Sequence, residues 1–294
     1  MQMYTGLVYN RSSLFPCSYR SGLLLIPSLL PQQTQWTLLS RLLHDALADP
    51  RHKTNVNAHY DVPYVLLEQG KDTKAISGGV LTQLHTARSS FFSISPKSKD
   101  SFQPLNPTIH KPYNISQFLR KKLRWIDLGG QYDWTDKIYH TENAPPFPSD
   151  IANLMRSIFP DTNSEVAIVN IYSPGDTLSI HRDVSETSTN GLISVSLGCD
   201  SIFIVGLRGE DEQMNNVAIR LRSGDAIYMS RSARYAWHGV SQIIPGTCPA
   251  YLSDWPAKSP SKMAPVEVKE SNYEAWRGWM FTKRINLNIR QLNP

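Results

Sequence analysis

Cysteine is scarce in this chain. Its 294 residues include three, Cys17, Cys199 and Cys248, and no two of them form a C-x-x-C pair. Neither a disulfide framework nor a cysteine-based zinc site is supported, so the expected compartment is intracellular and reducing. Long apolar runs are missing too. Nothing approaches the ~18 residues that a membrane span requires, and GLLLIPSLL (22–30) is short and broken by Pro27. Acid is absent from the first 44 residues, where Arg11, Arg20 and Arg41 stand. That pattern fits either a transit-peptide-like leader or a loose end entering a first strand. The localisation expected is nucleus and/or cytoplasm, with the mitochondrion as the alternative.

Charged residues are only 19% of the chain against 40% hydrophobic, a globular balance. The 20 prolines and 13 tyrosines favour a loop-rich β protein over a helical bundle. A net charge of +5 is compatible with a polyanionic partner and does not require one.

Trp36, Leu38, Leu39, Leu42, Leu43 and Leu47 fall near helical spacing and predict a helix that starts after Pro31. Residues 85–116, rich in Ser, Pro and Lys, read as a long loop. From about residue 165 onward short apolar segments recur without intervening helices: 165–172, 177–183, 191–198, 201–207, 216–230 and 284–292. Such spacing predicts a jelly-roll or barrel and argues against a βαβ array. SGD (223–225) reads as a hairpin turn, and residues 241–272, with five prolines, as an inserted loop. The expected organisation is an N-terminal extension (1–116), a lid region (117–160) and the β core (161–294).

LSIHRD (178–183) carries the first chemical signal. Residues two apart on a strand share a face, so His181 and Asp183 can grip one ion together. His238, in YAWHGV, is the candidate third ligand. Two imidazoles and one carboxylate on one face form the set used by non-haem Fe(II) oxygenases. Alone, the pair is equally a surface His–Asp, and a single histidine is more often a hydrogen-bonded core residue. RINLNIR (284–290) tips the balance. It places Arg284, Asn286, Asn288 and Arg290 on one face. If that face lines a barrel, two guanidinium groups are buried without evident acids, which is costly unless a bound dianion answers them. The alternative leaves that face in solvent.

NIYSPGDTLSIHRD (170–183), WHG (237–239) and RINLNIR (284–290) together resemble the AlkB-like Fe(II)/2-oxoglutarate dioxygenases, in the family's order. The likeness runs from about Trp125 to Gln291, and LRWIDLGGQYDW (123–134) looks most like the eukaryotic homologue-one branch. The resemblance implies a mainly β protein with flanking helices: a double-stranded β-helix core behind a nucleotide-recognition lid. It implies Fe(II) on His181, Asp183 and His238, and 2-oxoglutarate held by Arg284 and Arg290 with Asn170, Tyr172 and Asn286 assisting. O2 is the third reactant. It implies oxidative demethylation or hydroxylation of methylated bases in tRNA or DNA, such as N1-methyladenine, N6-methyladenine or 5-methylcytosine. Such a base must be single-stranded or flipped out to be reached.

Trp125, Tyr132 and Trp134 match lid positions, with core packing as the alternative for the rings. RKKLRW (120–125) would meet phosphates, or be a solvated helix face. Two positions depart from the bacterial pattern. Ser185, followed by Glu186, stands where bacterial members carry a base-reading acid, and Arg208 in VGLRGED is one place early for the base-reading arginine. The rival readings are a dioxygenase acting on a methylated protein such as a histone, and a non-catalytic module that senses iron or 2-oxoglutarate. A monomer is expected.

Overall fold

The computed structural model describes residues 15–18, 22–64, 90–208, 214–257 and 273–294. Two antiparallel sheets face each other. The larger has seven strands in the order β1-β2-β14-β11-β16-β9-β6 and the smaller four, β10-β15-β12-β13. In chain order these are β1 (Phe15–Ser18), β2 (Leu23–Ile26), β6 (Trp125–Gly129), β9 (Val166–Tyr172), β10 (Leu178–His181), β11 (Leu192–Gly198), β12 (Ser201–Arg208), β13 (Met214–Leu221), β14 (Ala226–Met229), β15 (Trp237–Ile243) and β16 (Arg284–Arg290). A small sheet of β3 (Tyr60–Asp61), β4 (Ser101–Pro104) and β5 (Tyr113–Asn114) flanks them, and a hairpin of β7 (Gln131–Asp133) and β8 (Ile138–His140) forms the lid.

From β9 to β16 the chain alternates between the two facing sheets except at the β12–β13 hairpin, which stays in the small one; this is the eight-stranded jelly-roll. The predicted strands are all present. One expected segment divides: 216–230 is two strands in different sheets, so SGD is a crossover and not a hairpin turn. Asp225 pins it by accepting hydrogen bonds from the backbone N–H groups of Arg222 and Ser28 (2.8 Å each).

Alternation along the strands explains the two faces of the large sheet. Ala167, Val169, Ile171, Ile193, Val195, Leu197, Ile285, Leu287 and Ile289 point outward and are buried. The expected helix, Gln32–Ser40, covers them with Leu38 and Leu39, and Leu42 and Leu43 follow in the π-helical turns Arg41–Ala46. Each such side chain contributes roughly 1.5–3 kcal/mol by leaving water. The loop expected over 85–116 proves structured where it is described. Phe91 and Phe92 open a 3-10 turn, Phe102 lies on β4, and all three are buried in the same core; residues 85–89 lie outside the described set. Within 241–272, Trp255 also enters this core, and 258–272 lie outside the described set. Among the described residues no helix is long and apolar enough to cross a membrane.

The inner face of the large sheet is graded. One end is apolar, with Leu192, Ile227 and Met229 packed on Phe203, Val205 and Ile219 of the small sheet. The other end carries the polar row of β16, in register with Tyr172 and Asn170 of β9 and Ser196 and Ser194 of β11.

Candidate metal and cosubstrate site

β10 and β15 pair antiparallel with His181 directly opposite His238. Gly239 permits it: a Cβ there would sit 2.7 Å from the Leu178 carbonyl oxygen, so only glycine lets β15 approach this closely. The strand stops at His181. Asp183 therefore stands in the loop just beyond, and strand alternation does not explain its placement as the sequence suggested. Two arginines do. Arg234 donates to the Asp183 backbone carbonyl (2.8 Å), and Arg290 donates to Oδ2 (2.8 Å). Arg182 lies over the Trp237 ring, 5.0 Å from its centroid.

The result is a compact donor set. Asp183 Oδ1 lies 3.8 Å from His181 Nε2, and Oδ2 lies 3.7 Å from His238 Nε2. All three ligand atoms fall within 4.8 Å of one another. Each imidazole Nδ1 is 2.9 Å from a backbone carbonyl, that of Ser179 for His181 and of Ala236 for His238. With Nδ1–H donating there, each Nε2 lone pair is left facing Asp183, the tautomer a metal needs. Burial pushes the His238 imidazole pKa below its ordinary value, which keeps it neutral and able to ligate. The Asp183 carboxyl is held down at about 2: burial opposes ionisation, but the charge and hydrogen bond of Arg290 outweigh it. These residues fit Fe(II) by donor type, protonation state and spacing.

Arg284 tests the fit to a dianion. Its side chain is fully enclosed, and no carboxylate pairs with it among the described residues. Nη2 donates to Ser196 Oγ (3.0 Å), while Nε and Nη1 have no hydrogen-bond partner. The guanidinium rests 5.4 Å from the Tyr172 ring centroid, and the Tyr172 hydroxyl is likewise buried and unpaired. Burial without a counter-charge pushes the Arg284 pKa down to about 10. Three orphaned polar groups around one cation are what a carboxylate would satisfy. Asn286 donates to Ser194 Oγ (2.8 Å) and the Val195 carbonyl (3.2 Å), with Asn170 opposite on β9.

Other predicted residues fall elsewhere. Arg290 is already occupied: it pairs with Asp183, with Glu186 (3.1 Å), and donates to the Tyr139 hydroxyl (3.2 Å). Glu186 has a side chain only 2% exposed and also holds Arg234 at 2.7 Å, so it braces the metal-ligand loop from within and faces no open substrate space. Arg208 ends β12, with its side chain outside the described set.

Trp125, Tyr132 and Trp134 do assemble. Trp125 and Trp134 ring centroids are 4.7 Å apart, Tyr132 and Trp134 4.8 Å, and Tyr132 and Tyr139 4.9 Å. Trp134 is half exposed, so packing does not consume it. The Tyr132 hydroxyl reaches Ser185 Oγ (3.1 Å), two residues past Asp183. The basic stretch beside them is partly committed: Arg124 pairs with Asp176, Arg120 lies over Trp276 and Lys122 over Tyr113. Sequence reasoning missed Arg234, Tyr139 and Asp127; no motif marks them, since each is defined by what it faces across the fold.

A jelly-roll with a His–Asp–His group at its paired strands β10 and β15 and a buried arginine without a carboxylate partner defines a class, and the comparison with known families agrees. The 2OG-Fe(II) oxygenase superfamily matches residues 86–290, and the chain belongs to it. Its reactants are accordingly Fe(II), 2-oxoglutarate and O2. Within that class the chain is 46% identical over 281 residues to a protein of Pyricularia oryzae named N6-methyladenosine RNA demethylase ALKB1, covering 92% of this chain and 74% of that one. It is 32% identical to the tRNA demethylase abh1 of Schizosaccharomyces pombe, covering 99% and 85%. The solved structure of OsALKBH1 shares the fold, with a TM-score of 0.52 and 17% identity over 95% of this chain and 99% of that one.

Proposed function

We propose that this chain oxidatively demethylates or hydroxylates methylated bases in RNA or DNA. The observation that carries the reading is the aromatic wall of Trp125, Tyr132, Trp134 and Tyr139, tied by the Tyr132 hydroxyl to the loop that bears Asp183. Partly exposed rings such as these, with Trp134 the most open, stack on bases regardless of sequence. The names of the Pyricularia and fission-yeast relatives point the same way.

In this reading His181, Asp183 and His238 hold the iron, which with 2-oxoglutarate and O2 supplies the oxidising power to break a C–H bond. The chain does the rest. Ser179 and Ala236 carbonyls fix both imidazoles, Arg290 and Arg234 fix Asp183, and Arg284 with Tyr172 grips a 2-oxoglutarate carboxylate, Asn170 and Asn286 standing alongside. Hydroxylation of an N-methyl group releases formaldehyde.

The test is formaldehyde and succinate release by the Fe(II)-loaded protein with N1- or N6-methyladenine oligonucleotides, beside a methylated histone peptide and His181→Ala. Turnover of an oligonucleotide that is absent in the variant is the expected result. Turnover of the peptide alone would overturn the nucleic-acid assignment. Succinate formation by neither, with 2-oxoglutarate bound, would favour a sensor.

A further inference from the structure

Asp127 is a buried acid that the metal and cosubstrate do not use. It lies on β6, in register with Ile168 on the inner face of the large sheet, and is 3% exposed. One carboxyl oxygen, Oδ2, accepts the Tyr132 backbone N–H at 3.3 Å; the other, Oδ1, has no hydrogen-bond partner among the described residues. It lines a cavity of about 710 Å³ together with Trp125, Tyr132, Trp134, Asn55 and Tyr60. An unanswered buried carboxyl oxygen is costly, and the cost is recovered when a ligand donates to it.

We propose that Asp127 selects the target base by its exocyclic amino group, accepting an N–H hydrogen bond through Oδ1. This rests on the nucleobase reading above. Adenine and cytosine present an amino donor where guanine, thymine and uracil present a carbonyl acceptor. A carboxylate welcomes the first and repels the second. Tyr132 links this acid to the departure from the bacterial pattern: its backbone N–H is on Asp127 and its hydroxyl is on Ser185, which stands where bacterial members keep their base-reading acid. The acid lost from the loop thus has a counterpart on β6, joined to that loop through Tyr132. Burial raises the carboxyl pKa to about 7 against the pull of the Tyr132 N–H and Arg290, so it is an acceptor from neutral pH upward.

Asp127→Asn tests the assignment sharply. The Tyr132 N–H claims the amide oxygen, so the amide NH2 turns toward the base and the acceptor becomes a donor. Formaldehyde release is measured on single-stranded oligonucleotides carrying N6-methyladenine, N1-methyladenine or N3-methyluracil. Wild type is expected to favour both adenines in kcat/KM. In the variant both adenine-to-uracil ratios should fall about tenfold or more, the equivalent of one amino hydrogen bond. A fall confined to the cationic N1-methyladenine would overturn the proposal in favour of simple charge pairing, as would unchanged ratios. Should Asp127→Asn fail to fold, Asp127→Ser carries the test: a hydroxyl both donates and accepts, so discrimination should be lost, and its retention would overturn the proposal. If wild type oxidises none of the three, it is the nucleobase reading itself that falls.

Discussion

Arg284 and Arg290 sit at opposite ends of one strand, on one face, equally buried, and their situations are opposite. Arg290 is charge-compensated: Asp183, Glu186 and the Tyr139 hydroxyl surround it, leaving only Nε without a hydrogen bond, and the two carboxylates raise its pKa despite burial. Arg284 has a serine hydroxyl and a tyrosine ring, and burial lowers its pKa. One guanidinium is countered by carboxylates of the protein, and the other is not. The motif R-x-N-x-x-x-R treats them alike. The difference between the two arginines lies in the partners that the fold brings to each, and Glu186 and Asp183 come from a loop about a hundred residues earlier.

That contrast predicts opposite phenotypes for the same substitution. Arg290→Met strands Asp183 and Glu186 without a shared counter-charge and should cost about 3–5 kcal/mol of stability, the usual penalty for breaking a buried pair. Chemical denaturation of the metal-free protein measures it, and replacing Glu186 by Gln in the same chain should return part of the loss. Arg284→Met removes a cation that has no counter-charge to strand. The unliganded protein should be no less stable than wild type, while 2-oxoglutarate binding weakens on the order of 100-fold, about 3 kcal/mol for a charge-assisted contact. A titration followed by thermal shift reads both numbers at once. Equal destabilisation by the two substitutions would erase the comparison.

The same contrast shows what the sequence could convey. The jelly-roll was legible because short β segments with turn residues between them have few other ways to bury their apolar faces. The grouping of His181 and Asp183 was legible because they are neighbours in the chain, although the reason offered, strand alternation, ends at His181. The two-sheet crossover at 223–225 was not legible, because a Ser-Gly-Asp turn looks the same whichever sheet receives the next strand. In the sequence Glu186 stands next to the bacterial base-reading position and reads as a substrate-binding candidate; its burial against Arg234 and Arg290 depends on 3-10 turn Arg231–Tyr235 and β16 arriving together. Asp127 belongs to no motif, and its unpaired oxygen exists only once β6, β7 and the lid enclose it.

Asp127 extends the comparison to an acid without a full set of partners, which feels the charge of Arg290 and acts in turn on Tyr139. Its carboxyl pKa is raised from 3.8 to about 7 in the folded state, chiefly by burial. The native state therefore holds the proton more tightly than the unfolded chain does. Stability from this group is complete below the unfolded value and is lost as pH rises toward 7. Between pH 5.5 and 7 wild type should lose about 2 kcal/mol relative to Asp127→Asn, at about 1.4 kcal/mol per pH unit. Other titrating groups cancel in that difference. Denaturation curves for both proteins without nucleic acid check it, and parallel pH profiles would mean that Oδ1 is satisfied in solution.

The smallest effect belongs to the lid. Tyr132 meets the metal-ligand loop through one hydrogen bond to Ser185, and it meets Trp134 and Tyr139 through its ring. Tyr132→Phe deletes only the first. A neutral, partly exposed bond of this kind contributes about 0.5–1.5 kcal/mol, so stability should fall by about 1 kcal/mol while the aromatic wall stays intact. Stacking uses the ring face and not the hydroxyl, so KM for a methylated oligonucleotide should move by no more than about threefold. Tyr132→Ala removes ring and hydroxyl together and should raise that KM by tenfold or more, since base–aromatic stacking is worth about 1–3 kcal/mol. If Phe and Ala give the same KM, the lid acts by pinning the Asp183 loop through the hydroxyl, and the aromatic wall is packing.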